Sequence, residues 1–173
     1  MIKGTKIVLR EKRLEDAAND YAWKTDAELA RLDATIPLDM SYSEYLLIYA
    51  DELRYANMGG HRFAIETLDG RHIGNCTYYN YDEYKGEAEL GILIGDRAYW
   101  NKGYGADVVV TLINQIFEET NLKKIYLHTL DWNARAKRCF EKCGLVSCGY
   151  ANRAGQTFIV MEIEKSRLKD NTF

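Results

Sequence analysis

Apolar and polar positions along this chain change period twice. "TKIVLR" (Thr5 to Arg10) alternates and predicts a first strand. "LEDAANDYAWKTDAELARLDA" has helical composition with a break near Lys24 to Asp26, which predicts two short helices. The single proline, Pro37, separates this region from "SYSEYLLIYADELRYA". There Ser41 and Glu44 form a capping box, and Tyr45, Leu46, Tyr49 and Leu53 make one helical stripe. From His61 the period becomes two. "HRFAIETL", "RHIGNCTYYNY" and "EAELGILIG" are joined by Asp69-Gly70 and by Asp82 to Gly86, so an antiparallel meander is predicted. The second half then alternates: a helix over Tyr104 to Thr120, a strand "KKIYLHTL", a helix over Asn133 to Cys143 ended by Gly144, and strands around "LVSCGY" and "FIVMEIE". With no internal repeat or linker, these segments predict one α/β domain over residues 1–173 with a mixed sheet, and a frayed tail "KSRLKDNTF".

Composition narrows the function classes. No run approaches the roughly 18 apolar residues of a membrane span, so no membrane partner is expected. The opening residues alternate where a secretory signal would be continuously apolar, and a cytoplasmic location follows as an expectation. A net charge of -3 with mixed signs argues against nucleic acid, which requires a clustered basic surface. It fits a cationic small molecule or basic peptide better. The four cysteines form no C-x-x-C pair and are expected to be reduced. Cys139 and Cys143 would share a helix face, but no histidine spacing completes a metal site, so core packing is expected and no metal.

The candidate chemistry begins at "GILIGDRAYWNKGYGADVVV" (Gly91 to Val110). A helix start presents unbonded N–H groups and the positive end of the helix dipole, and Gly103 and Gly105 give an anion close access to that backbone. Lys102 adds positive charge, while Val109, Leu112, Ile113 and Ile116 form the stripe that anchors the helix. Nucleotide folds fit badly. There is no G-K-[ST], and Val108 stands where G-x-G-x-x-G needs its third glycine. The glycines also lie well beyond the strand that ends near Ile94. Alone, the two glycines read as a plain helix-start turn rather than a ligand site.

Further on, "LHTLDWNARAKRCFEKCGL" places Asn133 past a strand end, then Ala136, Phe140, Gly144 and Leu145. Together with "WNKGYG" (Trp100 to Gly105), this resembles the GNAT superfamily of N-acetyltransferases, whose cofactor motif is roughly [QR]-x-x-G-x-[GA] followed by a strand and an N-x-x-A-x-x-x-[YF]-x-x-x-G-[FL] helix. The resemblance covers roughly Ile7 to Glu164. Its wording is nearest the RimJ/RimL-like and spermidine acetyltransferase branches. It implies a mostly antiparallel sheet whose two central parallel strands, "ELGILI" and "KIYLHT", splay apart around acetyl-coenzyme A. The pantetheine arm would pair with backbone near Ile92, Leu93 and Ile94. The diphosphate would rest on N–H groups from Asn101 to Ala106, and Trp100, Lys102, Tyr104, Asn133, Ala136 and Phe140 would complete the cofactor site. Similar proteins are often dimers, so a homodimer is compatible.

Such an enzyme moves an acetyl group to a primary amine. An amine of pKa about 10.4 is mostly protonated at pH 7, which costs roughly 4 to 5 kcal/mol of unfavourable equilibrium unless a base or a dry site intervenes. Glu89 is the first candidate base, directly or through water, and Glu87 on the same strand face the second. Glu89 reads alternatively as a solvent-facing strand carboxylate paired with a lysine. A backbone N–H near Leu93 would stabilise the developing oxyanion. Two departures stand out from the resemblance. Trp100 replaces the usual Gln or Arg, and Phe140 stands where many members have the tyrosine that protonates the leaving thiolate. Tyr78, Tyr79, Tyr81 and Tyr84 are substitutes for that donor. Phe140 also keeps open a non-catalytic acyl-coenzyme A binding module. Asp39, Glu44, Asp51 and Glu52 read either as a lure for a polyamine or as a solvated helix face.

Overall fold

The computed structural model describes residues 1–55 and 60–168. One eight-stranded sheet organises them. Its strands are β1 (Ile2–Lys3), β2 (Ile7–Glu11), β3 (Gly60–Thr67), β4 (His72–Asp82), β5 (Glu87–Ile94), β6 (Lys124–Leu130), β7 (Val146–Arg153) and β8 (Gln156–Glu164), in spatial order β1-β2-β3-β4-β5-β6-β8-β7. Every neighbouring pair is antiparallel except β5 and β6. That single parallel pair requires a crossover, which α4 (Tyr104–Glu119) supplies. The remaining helices are α1 (Ala17–Thr25), α2 (Ala27–Leu32), α3 (Tyr42–Arg54), α5 (Ala134–Lys142) and α6 (Lys165–Leu168).

The strand expected first, over Thr5 to Arg10, is the second, β2, preceded by the short β1; it begins two residues later than alternation predicts, because Thr5 and Lys6 turn their backbone toward α4 instead of toward β3. The break between α1 and α2 is at Asp26, whose carboxylate accepts from Leu29 N and starts the second helix. The capping box of α3 forms as expected, with Ser41 and Glu44 bonded reciprocally. The tail is helical as far as Leu168; residues 169–173, and Ala56 at the far end of the α3 segment, lie outside the described residues. Among the described residues no helix is long and apolar enough to cross a membrane.

Period-two alternation gives the sheet two different faces. One carries Ile7, Leu9, Ile65, Leu90, Ile125, Leu127 and Met161 and buries them against Val108, Leu112, Ile113, Ile116 and Phe117 of α4 and Phe140 of α5. Each such side chain contributes about 1.5–3 kcal/mol when withdrawn from water. The other face is covered near β2–β4 by α1 and α3 and is polar. Arg10 makes a two-pronged bond to Asp16 and a third to Glu66, while Lys12 binds Asp20 and Asn75. His72 lies 3.4 Å from Asp16. Burial pushes the Asp16 carboxyl up, but Arg10, the Arg13 N–H and nearby His72 outweigh it and hold the group below its ordinary value. The same burial lowers the Lys12 ammonium, with Asp20 only partly restoring it. α1 is docked farther along by Trp23, whose ring rests on Gly95: a Cβ there would come within 2.1 Å of the indole.

Candidate active site

β5 and β6 pair only from Glu87–Lys124 through Glu89–Tyr126. Beyond this, β5 runs on to Ile94 and β6 to Leu130 without a ladder between them, while β4 stays bonded to β5 as far as Ile94. The strands therefore splay, and the β6-facing peptide groups of the last residues of β5 lack a strand partner. One of them, the Ile94 carbonyl, accepts from the Trp100 indole Nε1–H at 2.7 Å.

A cleft of about 310 Å³ runs along the freed end of β5, between it and α5; Glu89, Glu87 and the β6 side chains lie outside its lining. Ile92, Leu93 and Ile94 form one wall, and Trp100, Asn101, Gly103, Gly105 and Ala106 the mouth. Asn133, Ala136, Phe140 and Cys139 of the α5 segment face them, with Leu29, Leu32 and Asp33 approaching from α2. The mouth is shaped by two left-handed residues, Asn101 at φ 57° and Gly103 at φ 81°, in three positions. Asparagine and glycine tolerate that region best. The first intrahelical bond of α4 runs from Asp107 N–H to Gly103 O, so the amides of Gly105 and Ala106 on the cleft wall precede it and have no helical acceptor. Asn133 caps α5 by accepting from Ala136 N.

Several expected roles shift. Lys102 sends its ammonium back to the Ala98 carbonyl at 2.7 Å, and Tyr104 packs edge-on against Tyr99; neither side chain lines the cleft. The cations at the cleft are Arg135, Arg138 and Lys142, one face of α5 that the sequence motif passes over. Arg135 lies 3.5 Å above the Trp100 ring, with Arg97 5.5 Å from the same ring. The indole at the position usually held by Gln or Arg thus steadies an arginine by cation–π contact. Asp107 does not oppose an anion: its carboxylate accepts from Thr5 N, Thr5 Oγ1 and Lys6 N, away from the cleft.

Glu89 and Glu87, expected on one face, are separated chemically. Glu87 binds Lys124 at 2.8 Å, the plain strand pairing. Glu89 is 2 % exposed and sits at the last β5–β6 pair, where the split opens. Its Oε2 accepts from Asn80 Nδ2 at 2.9 Å and its Oε1 lies 2.6 Å from Nδ1 of His128. Of the four tyrosines, Tyr79 alone neighbours Glu89; Tyr78 is in the core, and Tyr81 and Tyr84 are exposed. Burial, and then the Glu89 charge, pushes the Tyr79 phenol up to about 12, so it keeps its proton at neutral pH. The acidic residues of the α3 region are largely engaged: Glu44 in the cap, Asp51 with Arg54 at 3.5 Å and Glu52 with Arg62 at 3.0 Å. That favours the solvated-face reading over a polyamine lure.

Residues 6–146 match the Acetyltransferase (GNAT) domain family. The chain belongs to the GNAT acetyltransferases. It is therefore an acyl-transferring enzyme of the class that uses acetyl-coenzyme A as co-substrate. It is 27% identical over 121 residues to an uncharacterized N-acetyltransferase p20 of Bacillus licheniformis, an alignment covering 69% of this chain and 67% of that protein. It is 29% identical over 89 residues to the spermidine N(1)-acetyltransferase of Vibrio cholerae, and there the match spans about half of each protein, 51%. The fold superposes on the crystal structure of a Vibrio cholerae spermidine N-acetyltransferase in complex with CoA and spermine with a TM-score of 0.80 and 23% identity, covering 94% of this chain and 97% of that one. The aminoglycoside acetyltransferase AAC(6')-Ib in complex with ribostamycin and coenzyme A superposes at 0.79 with 19% identity, covering 97% and 98%.

Proposed function

We propose that this GNAT enzyme acetylates an aliphatic primary amine, with acetyl-coenzyme A held in the cleft along the freed end of β5. The observation that carries the reading is the abandoned ladder: a strand edge with bare peptide groups inside a sheet, opening onto a helix start with free amides. The residues fit the co-substrate by chemistry. The peptide groups near Ile92, Leu93 and Ile94 that lack a strand partner, the Ile94 carbonyl bonded to Trp100 apart, match the amides of a pantetheine arm, and Phe140 and Ala136 give it an apolar wall. The amides from Asn101 to Ala106, with Arg135, Arg138 and Lys142, match a diphosphate. When bound, the co-substrate supplies an activated acyl carbon.

The chain's residues do the rest. Backbone N–H groups at the opened end of β5 stabilise negative charge on the acyl oxygen. The amine's proton leaves to the buried polar cluster in which Glu89 is bonded to His128 and Asn80. Tyr79, kept neutral by its surroundings, donates in place of the tyrosine that Phe140 replaces. The amine class is supported by relatives that carry the names spermidine and aminoglycoside acetyltransferase. The four free cysteines support a reducing cell interior as the compartment.

Release of free thiol from acetyl-coenzyme A, measured against spermidine, an aminoglycoside and a peptide with a free N-terminus, tests this. Amine-dependent release with at least one of them is expected. Tight coenzyme A binding with no release across the panel favours the binding-module alternative, and absence of binding overturns both.

A further inference from the structure

We propose that His128, and not Glu89, takes the proton from the attacking amine, and that Glu89 is its positioning residue. This rests on the acetyltransferase reading above.

Glu89 is badly placed to meet a substrate. Both its oxygens are engaged, one by His128 and one by Asn80, and only 2 % of the residue is exposed. Asn80 is held there by a left-handed backbone, φ 50°, where the β4–β5 register shifts. His128 is better placed. It stands two residues past Tyr126, the last β6 partner of β5, so it is the first side chain of that face beyond the point where the strands part. Its side chain is 12% exposed against 3% for that of Glu89.

The hydrogen bonds define which nitrogen is available. A carboxylate only accepts, so Nδ1 of His128 carries the proton in the 2.6 Å contact with Glu89. A guanidinium only donates, and Nη2 of Arg153 lies 3.3 Å from Nε2, so Nε2 presents the lone pair. Two partners independently assign one tautomer. In the proposed step an N–H bond of the substrate ammonium breaks and a Nε2–H bond forms. The nitrogen keeps the electron pair for attack, and Glu89 stabilises the imidazolium. Arg153 is exposed, on the strand end beside the β7–β8 turn, and gives way to the ammonium. The other groups that face the ring are Tyr126 at 5.9 Å and Phe158 at 6.3 Å between centroids, both uncharged at neutral pH, with Tyr79 beyond Glu89.

The tautomer is measurable without substrate. Long-range proton–nitrogen spectra of the full chain with labelled histidine, assigned by comparison with His128→Gly, are expected to show His128 protonated at Nδ1, and this preference is expected to be lost in Glu89→Gln. A Nε2–H ring in the parent protein overturns the positioning role. Kinetics with the panel amine that the parent acetylates fastest then test catalysis. His128→Gly is expected to lower kcat at pH 7 by about 100-fold or more, with coenzyme A affinity unchanged. The deficit is expected to shrink as the pH approaches about 10, where the amine arrives unprotonated. Added imidazole is expected to restore at least about tenfold in His128→Gly but not in the double variant with Glu89→Gln. Turnover in His128→Gly within threefold of the parent overturns the proposal while leaving the acetyltransferase reading intact. Failure of the parent to bind coenzyme A overturns that reading itself.

Discussion

Two regions of this sheet, β2 to β5 and the β5–β6 junction at its middle, solve the same problem differently. From β2 to β5 the ladders run on, and the polar face beneath α1 and α3 is closed by charges paired inside the protein: Arg10 with Asp16 and Glu66, Lys12 with Asp20. Between β5 and β6 the ladder stops after three pairs, and the polar groups released are not claimed by neighbouring strands. A folded protein rarely tolerates backbone groups of that kind unless something completes them. The first region satisfies itself and sets the frame. The second is left incomplete at the place where a ligand with alternating amides and a diphosphate would finish it.

That contrast can be broken from either side. The largest effect is expected in the self-satisfied region: Arg10→Ala strands Asp16 in a buried site and should cost about 3–5 kcal/mol in urea unfolding, while the folded fraction keeps its coenzyme A affinity. In the open region, Gly103→Val forces a β-branched residue to φ 81° at the mouth of the cleft. The exposed mouth relaxes from a strain of about 1–3 kcal/mol in the free protein and incurs it when coenzyme A needs the parent backbone, so binding should weaken roughly 10–100-fold by calorimetry, with a smaller change in unfolding. Removal of charge by pH sharpens the first half. Asp16 has a folded pKa below its unfolded value near 3.9, so its contribution is present above about pH 4 and disappears as pH falls through the folded value. Asp16→Asn should therefore be less stable than the parent by about 1–3 kcal/mol at pH 7. The gap should narrow in urea titrations near pH 3. The smallest effect is expected at Trp100→Leu, which removes the indole under Arg135 and its bond to Ile94 O. Coenzyme A affinity should fall by about 1 kcal/mol, several-fold, with little change in kcat.

Local chemistry was readable in advance and cross-strand chemistry was not. Ser41 and Glu44 announce a cap, Asn133 announces another, and Gly103 before an apolar stripe announces the α4 start, because each depends on residues within one turn of helix. The side chain of Lys102, four residues from the Ala98 carbonyl it binds, shows only its charge in the sequence. Arg135, Arg138 and Lys142 alternate with the motif residues Ala136 and Phe140 and were visible only as helix composition; their convergence on the cleft follows from how α5 lies against β5. His128 had no signal of its own. Its meeting with Glu89 depends on a parallel register fixed by the whole α4 crossover, and nothing in "KIYLHTL" states where that strand will stop pairing.

The carboxylate of Asp107 carries a practical lesson. By gripping Thr5 and Lys6 it rivets the chain's opening residues to the first turn of α4, one residue beyond the amides assigned to the diphosphate. Trimming back to Ile7 would remove all three donors and leave that carboxylate unpaired beside those amides. Purification handles belong at the other terminus.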